Sequence, residues 1–271
     1  MTAGSEHRSE PAQAGPSAPV MSAAGRKPTV VVDGLHVVYK IYASPPRRSR
    51  RAAALRAWRR RRVVTREIHA LRGLSLVAYE GEVVGVVGAN GAGKTTLLRA
   101  IAGLLPPARG QVYTRGQAAL LGVNAALLED LTGARNITLG CLAMGMTRSE
   151  VRDIYDQIAE FSGLGRHINL PMRAYSTGMA QRLRFAIAAA RDQDILLIDE
   201  ALATGDAEFR KRSAQRLAEL RERAATVFLV SHSLDAIASS CSRAIWLEAG
   251  RIRMDAKAAD VVEAYRKAET S

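Results

Sequence analysis

One glycine-rich stretch has residue types and spacing suited to holding a phosphate chain. Gly88-Ala89-Asn90-Gly91-Ala92-Gly93-Lys94-Thr95 fits the pattern G-x-x-x-x-G-K-[ST], and Thr96 follows it. Glycines at 88, 91 and 93 permit a tight turn, so that successive backbone N–H groups converge on phosphate oxygens. A helix opening at this point adds its dipole to the same anion site. In such a loop Lys94 reaches the β- and γ-phosphates and the Thr95 hydroxyl ligates magnesium. A chance glycine turn before a helix has a similar composition, but here the strand-like run "VVGVV" precedes the loop.

A phosphate loop needs a second magnesium contact and a group that activates water. "ILLIDE" supplies both. Its apolar run ends in Asp199, suited to hold the metal directly or through water. Glu200 follows and would orient or deprotonate that water. Alone, an acidic pair at a strand end is more often a turn or a helix cap; the phosphate loop shifts the balance. A third apolar run, "TVFLVSHS", ends at His232. A lone histidine there is usually structural, but a parallel sheet would bring it to the same crevice, within reach of a γ-phosphate. Between loop and acidic run lies "YSTGMAQRLRFAIAAA", which puts Ser176 and Gly178 at the start of a long helix. In isolation that is an N-capped amphipathic helix, or a second anion-binding helix end.

These groups require a scaffold of strands and helices. Short apolar strands alternating with helices predict an α/β fold with a largely parallel sheet covered on both faces. "MTRSEVRDIYDQIAEFSGL" has helical spacing, with Ser149 as N-cap or early helix residue. "TVVVDGLHVVYKIY" reads as edge strands around a turn at Asp33-Gly34. Residues 1–28, rich in Ala, Ser, Pro, Gly and Glu, read as a disordered tail within which Met21 is an alternative start. The terminal "KAADVVEAYRKAET" reads as a surface helix, and residues 256–271 are assigned to that helix and a tail.

The 271 residues suit one large domain, 48% hydrophobic and 5% aromatic, with a formal net charge of +13. That charge favours polyanionic partners: nucleic acid, an anionic membrane surface or nucleoside phosphates. Ten arginines and no acid lie between Arg47 and Arg66. This run reads as a solvated loop, as an interfacial helix anchored by Trp58, or as a nucleic-acid contact. Cys141 and Cys241 form no CxxC spacing, which suits a reducing compartment and argues against a disulfide framework or a zinc site. No run approaches the ~20 apolar residues of a membrane span, and the N-terminus lacks a signal-peptide core. The expected location is cytoplasmic, with any membrane attachment supplied by another protein.

Taken in order, the P-loop, the Ser-x-Gly helix start, "ILLIDE" and "SH" resemble the motif order of ABC ATPases, over residues from about 29 to 268. The resemblance implies a P-loop NTPase of the ABC type over residues 29–255, with a mostly parallel core sheet and an N-terminal antiparallel β subdomain. It also implies a helical subdomain at about 125–190, and residues 43–66 form an Arg-rich insertion. "LEDLTGARNITL", "YSTGM" in place of the usual LSGGQ, "IDEALATGDAEFRKR" and "SHSLDAIASSCSRAIWLEAGRI" look like the teichoic-acid and O-antigen exporters within that family. The likeness further implies a head-to-tail homodimer, in which Ser176 and Gly178 of one subunit cover ATP and Mg2+ held by residues 88–96 of the other. Tyr39 would stack on adenine with Tyr42 as its nearby substitute, and Asp206 would lie in a loop contacting the opposite site.

The same likeness implies integral membrane permease subunits as partners, a lipid-linked polymer as substrate, and a peripheral position on the cytoplasmic face of the cell membrane. Arg59–Arg62 and Trp58 would meet lipid phosphates or a polyanionic substrate. Two departures stand out. Val123 and Asn124 occupy the region where ABC ATPases usually carry a coupling Gln, and the chain has no room for the carbohydrate-binding domain that some O-antigen exporters append. The alternative from another class is a soluble ABC ATPase acting on nucleic acid or ribosomes, which usually has paired ATPase domains or long coiled coils. A P-loop kinase or GTPase would leave the "YSTGM" helix and the downstream "SH" unexplained.

Overall fold

The computed structural model describes residues 25–42, 65–121, 127–199, 206–231 and 233–269. The arginine run up to Val64, Val123, Asn124, Glu200 and His232 lie outside these residues. Two sheets organise the chain. A three-stranded antiparallel sheet has the order β2-β1-β4, from β1 (Pro28–Tyr42), β2 (Thr65–Tyr79) and β4 (Arg109–Thr114). A six-stranded sheet has the order β5-β6-β7-β3-β8-β9. Its members are β3 (Glu82–Val87), β5 (Ala118–Leu121), β6 (Ile195–Asp199), β7 (Thr226–Val230), β8 (Arg243–Glu248) and β9 (Arg251–Lys257). All its neighbours pair parallel except β8 and β9.

The continuous apolar runs become the buried strands. Leu196, Leu197, Val227, Phe228, Val84 and Val86 are all nearly inaccessible. Helix α1 (Lys94–Ile101) lies between the two sheets, with Leu97, Leu98 and Ile101 in one core with Leu35, Val37, Leu71 and Leu74 of the small sheet. Helices α2 (Gly133–Ala143), α3 (Arg148–Ser162) and α4 (Thr177–Ala188) enclose a separate core built on Ile137, Val151, Ile158 and Leu183. Phe161 of α3, Phe185 of α4 and Phe209 of α5 (Ala207–Arg223) join that unit to the large sheet, with ring centroids 5.8–6.0 Å apart. Side-chain caps set the helix starts: Thr132, Ser176, Asp206 and Ser233 each accept a backbone N–H, Ser233 opening α6 (Leu234–Ser240).

Several sequence expectations need correction. Asp33-Gly34 is not a turn. β1 runs through it, with Gly34 at φ 54 and register shifts between Val32 and His36, so the extra residues form a bulge within one long strand. Pro28 belongs to β1 rather than to the tail. Thr65 and Arg66 belong to β2, because they pair with Tyr42 and Ile41. Ala256 and Lys257 close β9 rather than opening the last helix. Ser149 is the early helix residue of the two readings the sequence allowed: Thr147 is the N-cap of α3, and its capping box with Glu150 leaves Ser149 inside the first turn. Helix α7 (Ala258–Glu269) is not merely superficial: Val261, Val262 and Tyr265 bury against Trp246 of β8.

Where the two sheets meet, a buried arginine ties them together. Arg243 of β8 is 4% exposed and holds Asp255 of β9 by two bonds of 2.6 Å, Glu82 of β3 at 3.3 Å, and the Val77 carbonyl of β2 at 2.8 Å. Burial opposes the charge, but the Asp255 and Glu82 carboxylates outweigh it and keep the guanidinium pKa above its ordinary value. Removing one member of such a cluster strands the others in a low-dielectric site. Arg243→Met should therefore lower the unfolding free energy by about 3 kcal/mol, read as a lower urea midpoint at unchanged slope. An unchanged midpoint would mean that Glu82 and Asp255 find other partners.

Candidate functional site

The glycine loop sits between the C-terminal end of β3 and the start of α1. Gly88 has φ 145 and Gly93 has φ 109, both in the region that favours glycine. A Cβ at Gly88 would stand 2.2 Å from the Leu247 carbonyl oxygen, and one at Gly93 would stand 2.9 Å from the Ala70 carbonyl oxygen. The loop is thus wedged between β8 and β2. The β8–β9 hairpin braces it further: Ala249 (φ 46) and Gly250 (φ 79) form its two-residue turn, the Gly250 N–H bonds the Ala92 carbonyl, and the Arg72 N–H bonds the Gly250 carbonyl. Ala89, Asn90 and Gly91 face solvent, whereas Ala92 is buried. Lys94 curls over the loop and donates to the carbonyls of Gly88 (2.5 Å) and Ala89 (3.0 Å).

Strand register brings the acidic residue to this loop. Val230 of β7 pairs with Val86 on one side and with Asp199 on the other, so the ends of β3, β7 and β6 form one row. From that row the Thr95 hydroxyl donates to Asp199 Oδ2 at 2.8 Å. A hydroxyl beside a half-buried carboxylate is a hard-oxygen donor pair of the kind magnesium takes when phosphates complete its shell. Among the described residues no group of three or more His, Cys, Asp or Glu side chains gathers that could hold a metal unaided. These residues fit a nucleotide-borne magnesium ion and a phosphate chain in the glycine cradle. Glu200 and His232 follow the row in sequence and lie outside the described residues.

On the small sheet, Tyr39 points toward α1, and its hydroxyl lies 3.4 Å from Thr96 Oγ1. Ile68 pairs with Tyr39 across the strands and Ile41 stands two residues on, so both share its face. They are 43% and 48% exposed, which makes a flat apolar platform beside the loop. Alternation along β1 was enough to find Ile41; Ile68 needed the register, and sequence reading missed both. The Tyr42 side chain lies outside the described residues.

Ser176 and Gly178 occupy a different surface. Ser176 caps α4 by accepting the Met179 N–H at 3.2 Å, and both line a cleft of about 430 Å3 with Gly163, His167, Arg182 and Asp206. No residue of the glycine loop lines that cleft. Asp206 caps α5 by accepting the Phe209 N–H at 2.9 Å, and it forms a very close ion pair with Arg182. The Phe209 N–H, then the guanidinium, hold the Asp206 carboxyl below the usual aspartate range. Arg182 also lies 5.3 Å from the Phe209 ring centroid. No sequence signal pointed to Arg182, because its partner is distant in the chain.

Comparison with known proteins gives this arrangement a family. Residues 71–203 match the family described as ABC transporter. The teichoic acids export ATP-binding protein TagH of Staphylococcus saprophyticus is 40% identical over 199 residues, covering 73% of this chain and 75% of that protein. The TagH protein of Bacillus cereus is 42% identical over 198 residues, and the O-antigen export system ATP-binding protein RfbB of Myxococcus xanthus is 42% identical over 202 residues. The chain spans only 36% and 46% of the lengths of these two. The fold matches the dimeric ATP-binding cassette MJ0796 bound to ADP and Pi, with TM-score 0.61 and 23% identity over 84% of this chain and 98% of that one. With 40% identity to a teichoic acids export ATP-binding protein of which it covers 75%, and with the glycine loop, the acidic strand and the capped Ser176 helix in place, the chain belongs to the ABC transporter family.

Proposed function

We propose that this chain hydrolyses ATP as one half of a homodimer and drives export of a lipid-linked cell-surface polymer, teichoic acid or polysaccharide, through separate membrane permease subunits. The observation that carries the reading is the separation of two incomplete anion sites on one molecule. The glycine loop presents N–H groups and Lys94, while the Ser176 helix end lines another cleft that no residue of the loop reaches. Two copies packed head to tail complete each other's sites. The kinship with TagH and RfbB proteins supports the polymer class.

In this reading residues 88–96 cradle the phosphates, Lys94 exchanges its two loop carbonyls for phosphate oxygens, and Tyr39 with Ile41 and Ile68 receives the adenine. Thr95 and Asp199 hold magnesium, which neutralises charge on the phosphates. Glu200 orients the attacking water and takes its proton, while His232 hydrogen-bonds the γ-phosphate. Ser176 and Gly178 of the partner close the site only while that phosphate is present, so hydrolysis releases the dimer. The chain attaches peripherally to the cytoplasmic face of the membrane through the permease; no helix among the described residues is long and apolar enough to cross a membrane. A soluble ATPase acting on nucleic acid would instead show salt-sensitive binding to it and membrane recovery independent of a permease.

Three experiments test these roles. Glu200→Gln should bind ATP, hydrolyse it at least about a hundredfold more slowly, and accumulate as an ATP-dependent dimer by light scattering. Normal turnover would remove Glu200 from its role. Lys94→Ala and Ser176→Arg should each abolish hydrolysis, yet mixing the two should restore up to about a quarter of wild-type activity, because a head-to-tail heterodimer keeps one intact site. A mixture as inactive as its parts would show that each copy completes its own pocket. Arg182→Ala should release the Asp206 loop and cut kcat about tenfold at nearly constant ATP KM. A change confined to KM would assign Arg182 to nucleotide binding instead.

A further inference from the structure

The small sheet has a second face, turned away from Tyr39 and α1. There a cleft of about 590 Å3 is lined by Lys40, Arg72, Arg109 and Arg251, with Glu67 as its one carboxylate. His36 and His69 complete the polar wall. The register explains how these side chains meet: His36 stands opposite Arg72 of β2 and opposite Arg109 of β4, a row of basic side chains across three strands. Arg251 joins from β9, held near by the Arg72 N–H bond to the Gly250 carbonyl.

Arg72 and Arg109 flank His36 from the two neighbouring strands, so their like charges share one face of the sheet. Glu67 offsets only Lys40, at 3.8 Å. Arg72 Nε donates to the His69 carbonyl at 3.4 Å, and among the described residues Arg72, Arg109 and Arg251 make no salt bridge. A net charge of +13 accounts for many exposed arginines, but charge alone would spread them apart rather than gather them in one concavity. Guanidinium groups converging from separate strands can grip one multiply charged phosphate group through paired N–H bonds. A concave site suits a compact group better than a flat bilayer surface.

We propose that this groove is a second phosphate-binding site, separate from the nucleotide pocket and taking a compact diphosphate or phosphodiester group. The proposal goes beyond the export reading and does not depend on it. Such a group could be carried by a lipid headgroup or by a soluble or polymer chain, and the chemistry of recognition is the same.

The test is a calorimetric titration of inorganic pyrophosphate into the full chain, with the nucleotide pocket filled by magnesium and a non-hydrolysable ATP analogue. Saturable binding is expected. Replacing Arg72, Arg109 and Arg251 together by Gln should weaken it at least about tenfold while leaving affinity for the ATP analogue unchanged. Glu67→Gln, which removes the one carboxylate, should tighten it about threefold and serves as the decisive variant if the triple replacement fails to fold. Absence of saturable binding, or equal affinity in wild type and both variants, overturns the proposal. Vesicles containing phosphatidylglycerol identify the source: binding that pyrophosphate displaces means that the groove accepts lipid-borne phosphate. Absence of vesicle binding beside pyrophosphate binding means a soluble or polymer-borne group.

Discussion

The contact between Thr95 and Asp199 is the constraint on which the rest of the site depends. Asp199 ends β6, whereas Thr95 lies in α1, which follows β3 through the glycine loop, and β7 separates β3 from β6. A hydrogen bond of 2.8 Å across that gap requires the three strands to end in register. A slip of one residue in β6 would turn Asp199 to the other face of the sheet and bring Ile198 into its place. β6 and β7 are buried on both faces, so close packing of their side chains, not polar alternation, holds that register. In this sense the core residues Leu197 and Phe228 govern how the Thr95–Asp199 pair is set.

The glycine loop is rigid for reasons that lie outside its own sequence. Leu247 of β8 and Ala70 of β2 leave no room for a Cβ at Gly88 and Gly93, and the Gly250 turn is bonded to both the loop and β2. At the opposite ends of these strands Arg243 joins β8, β9, β3 and β2, so the pair of sheets that holds the loop is tied at both ends. The loop is thus clasped between two sheets, which keeps its N–H groups preorganised for an anion. Lys94 donates to two carbonyls of its own loop, so the cation is satisfied within the loop itself.

Much of this was legible in the sequence. The phosphate loop, the acidic strand and the Ser176 cap each announce themselves within a few consecutive residues, because their chemistry is local. Parallel strands such as "ILLID" and "TVFLV" were equally plain, since burial on both faces removes polar residues from the run. What escaped was whatever depends on distant pairing. Asp33-Gly34 has the composition of a turn, yet cross-strand bonds on both sides carry β1 straight through it. The ends of the arginine run looked like one charged segment until Thr65 and Arg66 paired with β1. Ile68 beside Tyr39 and Arg182 beside Asp206 are likewise tertiary facts. A buried Tyr265 could have been suspected from the apolar spacing of Val261, Val262 and Tyr265, but what it packs against could not.

The small sheet shows how one strand can serve two chemistries. In β1, residues 37, 39 and 41 face α1 and the glycine loop, while residues 36, 38 and 40 face the basic cleft. The alternation of two per pleat keeps the faces electrostatically distinct, with an apolar platform on one side and cations on the other. Because both faces share a backbone, the bulge at Asp33-Gly34 matters to each: it offsets His36 relative to the strand before it and so sets which residues meet on either side. Straightening the bulge by deleting one residue would exchange the faces beyond it. Tyr39 would then turn away from Thr96, and the basic row opposite His36 would be broken.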